Sequence, residues 1–128
     1  MSIRFKVIQR GQPGVVGGGV KKYYAIPSLN GEMTLAELTK AIEKLCTVTG
    51  ADIRAVLYAL VDVAIDRLSN GTIVRLGELG SLRMSFNAEG KSSWDLVNAA
   101  TIKKANVIFT PGPRVKEMLA NVKFEKEN

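Results

Sequence analysis

Ile3, Phe5 and Val7 alternate with Arg4 and Lys6, and residues 20–26 repeat β-branched and aromatic side chains, so both stretches are expected to be strands. Between them, Gly11, Pro13, Gly14, Gly17, Gly18 and Gly19 predict a loose hairpin connection. The period then changes. Leu35, Leu38, Ile42 and Leu45 recur at spacings of three, four and three, which makes one apolar stripe and leaves Glu37, Lys40, Glu43 and Lys44 outside it. Thr34 and Glu37 have the spacing of a capping box, so a helix is expected to start at Leu35. Cys46 falls at its end, as a small buried or half-buried hydrophobe.

Thr49-Gly50-Ala51-Asp52 opens a second helix, expected to run to about Leu68 before Asn70-Gly71 stops it. Arg54, Tyr58, Asp62 and Asp66 recur every four residues as one narrow polar strip, whereas apolar side chains cover most of the remaining circumference. A helix so widely apolar must be covered on more than one side. We read this as a subunit interface in a twofold dimer. The alternative is a central helix in a compact monomer.

Beyond Thr72, strand character returns at Ile73, Val74 and Leu76, followed by a turn at residues 77–80. Leu82, Met84 and Phe86 then alternate with Ser81, Arg83 and Ser85, a hairpin with one apolar face. Residues 87–101 are polar and aperiodic except for Trp94, Leu96 and Val97, and residues 102–109 again have strand composition. So long an excursion between two strands is often functional or disordered. Pro111-Gly112-Pro113 ends that strand, and Val115, Met118, Leu119 and Val122 fit a short terminal helix. The expected fold is α+β: two strands, two helices, three strands and a helix.

The 128 residues fit one domain. With no histidine, a Ser/His/Asp triad and every histidine-bearing metal site are excluded, and one cysteine allows neither an intrachain disulfide nor a Cys-x-x-Cys knuckle. No cofactor is expected. The glycine-rich connection is not read as a phosphate loop: Val20 stands where the lysine of a Walker motif belongs, and a strand follows. Glu78, Glu89 and Asp95 have no pairing in their spacing, so no enzyme is expected. The opening residues alternate apolar with basic and do not read as a signal peptide, and no run approaches a membrane span. A soluble, cytoplasmic protein is the expectation.

Charge has a pattern of its own. The net +6 divides unevenly: residues 1–24 carry five bases and no acid, residues 72–116 carry seven bases and three acids, and the helical middle is slightly acidic. A polyanion would therefore meet the strand regions. The plainer alternative is scattered solvating lysines.

From about Met33 to Val122 the chain resembles the bacterial HU and IHF family of histone-like DNA-binding proteins. The resemblance rests on Thr34-Leu35-Ala36-Glu37-Leu38, on the apolar helix closed by Asn70-Gly71, on residues 74–82 (VRLGELGSL), and on Phe109-Thr110-Pro111-Gly112 before a helix carrying Lys116. The first 32 residues resemble the leading β extension, with Lys22-Tyr23-Tyr24-Ala25, of HU-like proteins found in Bacteroidetes. On this reading residues 1–32 are a β-hairpin extension packed on the same domain, and residues 33–128 are the HU-like DNA-binding domain.

The resemblance implies an intertwined dimer with a helical base, whose three-stranded sheets form a saddle with two arms around DNA. Double-stranded DNA would be the partner. Binding would be non-catalytic, weakly sequence-specific and architectural, in the nucleoid. Phosphate contacts are expected from Arg75, Arg83, Lys91, Lys103, Lys104, Arg114 and Lys116. The dimer core is expected at Val56, Leu60, Val63, Ala64, Leu82 and Phe109, in a homodimer or a heterodimer with a paralogue. Neither a membrane nor a small-molecule substrate is expected.

Two departures bear on mechanism. The family arm carries an Arg-Asn-Pro stretch whose proline wedges between base pairs, but residues 87–101 contain neither arginine nor proline. Thr110 and Pro113 stand where lysines commonly flank the Pro-Gly turn. Trp94 is then the candidate arm wedge, the alternative being a cluster with Leu96 and Val97 that folds the arm back. Two other functions stay open: an HU-fold adaptor that binds a protein partner, and RNA binding through bases stacked on Tyr23 and Tyr24.

Overall fold

The computed structural model describes residues 2–12 and 14–127. Pro13, one of the expected turn residues, lies outside them. The chain divides into two compact units, residues 1–33 with 118–128, and residues 34–117.

The first unit is a three-stranded sheet. Strand β1 (Ser2–Arg10) pairs antiparallel with β2 (Lys22–Pro27), as the alternating residues predict. Their connection closes through Gln12 N–H donating to the Gly18 carbonyl at 2.6 Å, with Gly14, Gly17, Gly18 and Gly19 all at positive φ. Only glycine adopts such a run without strain. The third strand was not expected. Lys123–Lys126 lies parallel to the other edge of β1, where Glu127 N–H also donates to the Phe5 carbonyl at 2.8 Å. Four residues with three charges carry no strand signal; the exposed edge of β1 supplies the hydrogen bonds that make them one.

The second unit opens with α1 (Leu35–Glu43), where Thr34 Oγ1 accepts from the Glu37 amide at 3.3 Å as expected. The reciprocal half of the capping box is not formed. The helix stops before Cys46: Leu45 N–H donates to the Ile42 carbonyl, tightening the last turn, and the β-branched residues 47–49 lead straight into the next cap. Cys46 is therefore exposed, against the expectation of burial, with its thiol donating to the Ile42 carbonyl at 3.3 Å.

Helix α2 (Gly50–Ser69) begins where Thr49 Oγ1 accepts from the Asp52 amide at 3.3 Å. Its buried residues, Ile53, Ala64 and Leu68, lie on one narrow stripe. The apolar positions on either side of it stand in solvent.

Strand β3 (Val74–Arg75) is short; β4 (Gly80–Ala88) and β5 (Ile102–Pro111) complete a sheet ordered β3-β4-β5. The turn into β4 brings backbone very close. A Cβ added to Gly80 would strike the Thr110 carbonyl and the Phe109 ring, and one added to Gly112 would strike the Glu78 carbonyl. Helix α3 (Pro113–Asn121) follows, with Pro113 at its first position as predicted. For the described residues, the order of helices and strands matches the expected α+β succession, with one added terminal strand, β6 (Lys123–Lys126).

Candidate nucleic-acid interface

Residues paired directly across antiparallel strands point to the same side of a sheet, so the register of β3, β4 and β5 sorts their side chains. Val74 pairs with Leu82, Leu82 with Phe109, Met84 with Val107 and Phe86 with Ala105, which makes one side apolar. Arg75 pairs with Ser81, Arg83 with Ile108, Ser85 with Asn106 and Asn87 with Lys104, so the other side is basic and polar apart from the half-buried Ile108. Arg75, Arg83 and Lys104 thus share one exposed side. Arg83 sits diagonally across from Arg75, about 7–8 Å away along the backbone.

Lys103 is set differently. Lys104 pairs with Asn87 and Ile102 with Ala88, so Lys103 is the extra residue of a β-bulge. Its ammonium lies 3.3 Å from Glu89 Oε1, while Lys91 lies 3.0 Å from Glu89 Oε2. One carboxylate therefore gathers two of the expected phosphate contacts at the base of the loop between β4 and β5. Sequence reasoning found no pairing for Glu89; with the bulge invisible, nothing in its spacing pointed to Lys103. Arg114, at the start of α3, faces Glu78 of the turn at 3.6 Å. Lys116 is exposed on α3.

The loop itself is anchored at its C-terminal foot. Asn98 accepts from the Ala100 amide at 2.9 Å, and Thr101, only 5% exposed, donates its hydroxyl to the Asn98 carbonyl at 2.7 Å. Its tip is bare. Trp94 is 89% exposed, and Leu96 and Val97 are exposed too, so the expected covering cluster does not bury the indole within the chain.

The expected dimer-core residues fall into two groups. Val56, Leu60 and Val63 form an exposed stripe on α2, whereas Ala64 is buried within the chain. Leu82 and Phe109 face each other on the apolar side of the sheet, Leu82 half-buried and Phe109 exposed. Tyr23 and Tyr24, the pair considered for base stacking, are consecutive in β2 and so point to opposite sides. They form no common platform.

Among the described residues no three His, Cys, Asp or Glu side chains gather as a metal site, and no helix is long and apolar enough to cross a membrane.

Among curated proteins none matches the chain. Among solved structures it is similar to a Bacteroides vulgatus protein, described as a candidate bacterial DNA-binding protein and solved at 2.25 Å, with a TM-score of 0.65 and 16% identity over 96% of this chain. The chain spans about half of that protein, 47% of its length. At that identity the likeness concerns the fold. The family is carried by the sequence: residues 1–126 match the model of HU domains fused to a wHTH, Ig or glycine-rich motif, and the chain belongs to this HU-HIG family.

Proposed function

We propose that the chain binds double-stranded DNA as a non-catalytic, weakly sequence-specific architectural protein, acting as a homodimer. The observation that carries this reading is the sorting of side chains in the second sheet. One register sets Arg75, Arg83 and Lys104 on an exposed polar side and Leu82, Met84, Phe86, Val107 and Phe109 on the other. A flat basic surface without a base-reading helix contacts phosphates rather than base edges, so discrimination comes from DNA deformability. Lys91, Lys103, Arg114 and Lys116 are the further phosphate contacts of this reading. Membership of a family of HU domains and the fold shared with a candidate DNA-binding protein support the same partner.

Dimerisation is supported by what the single chain leaves bare. Val56, Val61, Val63 and Ile65 of α2 are each more than half exposed. Apolar side chains at that density on one helix mark an interaction surface.

The test is retention on duplex DNA at two salt concentrations. If a dimer sets half a dozen bases on phosphates, the log–log salt slope is about −5. A Lys103→Ala, Lys104→Ala double variant should bind more weakly with a shallower slope; unchanged retention would refute the proposed surface.

A second reading, an HU-fold adaptor for a protein partner, draws on the first sheet, where Ile3, Val7, Tyr23 and Phe124 are exposed on one side. Absence of salt-sensitive DNA retention by the pure protein would favour it.

A further inference from the structure

We propose that the sheet of β1, β2 and β6 carries a second contact surface for a nucleic-acid phosphate backbone, on the side that holds Arg4, Lys6, Arg10 and Lys22. The proposal takes from the functional reading above only that duplex DNA is the ligand.

The surface follows from register. Alternation along β1 puts Arg4, Lys6, Ile8 and Arg10 on one side, at intervals of about 6.8 Å for every second residue. Antiparallel pairing sets Lys22 directly opposite Arg10 and Tyr24 opposite Ile8, and parallel pairing sets Glu125 beside Arg4. Four bases, Arg4, Lys6, Arg10 and Lys22, thus share a row about 20 Å long that Ile8 interrupts, and Lys123, paired with Ser2, lies on the same side. All four are exposed.

Their charge is not cancelled within the described residues. Arg4, Lys6 and Lys22 make no ion pair there; of the acids on this side, Glu125 accepts a hydrogen bond from Ser2 Oγ at 3.1 Å and Glu127, next in the same alternation, accepts one from Ser28 Oγ at 2.8 Å. The Arg10 guanidinium lies 5.3 Å from the centroid of the Tyr24 ring, a contact that leaves its charge intact and restrains its direction. In the second sheet, by contrast, Glu89 and Glu78 engage three of the expected phosphate contacts. Like charges directly across a strand pair, as at Arg10 and Lys22, destabilise a sheet. A bound polyanion removes that repulsion.

The apolar residues decide between kinds of polyanion. Within the strands, Ile8, Tyr24 and Ile26 on the basic side are half-buried and the exposed Ile3, Val7, Tyr23 and Phe124 point the other way; Val15, Val16 and Val20 are exposed in the connection between β1 and β2. A membrane-surface element puts exposed apolar side chains beside its bases. With Tyr23 and Tyr24 on opposite sides there is no stacking platform for a single strand. A row of exposed bases on one side of a sheet suits the phosphate backbone of a duplex.

The experiment compares duplex affinity from low to moderate salt for the full chain and three variants, each checked by circular dichroism. The neutralising variant is R4Q/K6Q/R10Q/K22Q, the charge-conserving variant is R4K/K6R/R10K/K22R, and the third is K103Q/K104Q. If the four bases of one protomer meet phosphates, the neutralising variant loses about 3–4 from the magnitude of the salt slope, about twice that if both protomers of the dimer do, and at least tenfold in affinity. The charge-conserving variant should retain the parent slope. A neutralising variant with the parent slope, beside a weakened K103Q/K104Q, overturns this inference and leaves the second-sheet surface standing. Loss in both quadruple variants overturns it as a structural effect. No duplex binding by the parent overturns both readings. Sedimentation with vesicles of anionic phospholipid that disappears in the neutralising variant, while its duplex slope is unchanged, overturns it in favour of a membrane surface.

Discussion

Val63 gives the sharpest test of the dimer. It is 57% exposed in the single chain and lies on the same flank of α2 as Val56 and Leu60, at spacings of four and three. Full burial of a valine side chain is worth roughly 1.5–2 kcal/mol, so completing the burial of one that is half covered contributes about 1 kcal/mol. A twofold axis doubles any single change, and Val63→Ala should therefore weaken the dimer by about 2 kcal/mol, roughly thirtyfold in Kd. Val63→Asp adds an unpaired carboxylate to the interface, worth several kcal/mol in each copy, and should abolish the dimer at micromolar concentration. Asp62→Ala, on the polar strip of the same helix, should change neither. Sedimentation equilibrium over a hundredfold range of concentration measures all three. If the proposed dimer is intertwined and has no independent protomer, Val63→Asp will also lose helical signal. A Val63→Asp protein with the mass and melting temperature of the parent would refute the interface, and so would a parent protein that sediments as a stable single chain.

Three further outcomes follow from particular contacts. Glu89→Gln releases Lys91 and Lys103 and removes one negative charge per chain from the loop base, so duplex affinity should rise roughly 3–10-fold at low salt with a steeper salt slope, and a weaker complex would refute the placement of that carboxylate beside the bound backbone. Gly80→Ala must fit a Cβ between the Thr110 carbonyl and the Phe109 ring at a φ of +150°, which should cost about 1–3 kcal/mol and lower the Tm by roughly 5–15 °C in a thermal scan. Trp94→Ala removes an exposed side chain, so stability should stay within about 0.5 kcal/mol; if the indole wedges a base step, end-to-end energy transfer across a labelled duplex will report a smaller bend, and an unchanged bend excludes the wedge.

Local signals were legible where one residue's chemistry decides them. Thr34 and Thr49 cap the helices that follow them, Pro113 opens the last helix, and the alternation of Leu82, Met84 and Phe86 marks a strand with one apolar face. What escaped depends on partners distant in the chain. Lys123–Lys126 becomes a strand only because the edge of β1 is free to pair with it, and three charges in four residues hide that outcome. Lys103 takes its position from a bulge, which adds one residue to a ladder without leaving a compositional trace. Glu89 showed no pairing in the sequence because its partners sit two residues ahead and fourteen residues ahead, the second brought back by the loop. The basic row in the first sheet was visible as a charge excess, but its sidedness needed the register of β1 with β2.

The surface area of the chain joins folding to function. A folded monomer of 13.9 kDa exposes about 6,700 Å², and even two separate bodies of the sizes found here would together expose only roughly 8,000 Å². This chain exposes 10765 Å². The excess of roughly 2,800–4,100 Å² is more than the about 1,000–2,500 Å² per chain that an obligate dimer interface covers, so one such interface accounts for part of it. Much of what is bare is apolar: Val56, Val61, Val63 and Ile65 on α2, and Phe86, Val107 and Phe109 on one side of the second sheet. Covering that side of the sheet with a second copy leaves its opposite side facing outward, and the same period of two that makes the first apolar makes the second basic. In such a dimer the packing of Leu82 and Phe109 would leave Arg75, Arg83 and Lys104 turned to solvent. In the dimer we propose, assembly and phosphate contact are two consequences of one strand register, and a slip of one residue in β4 would remove both together.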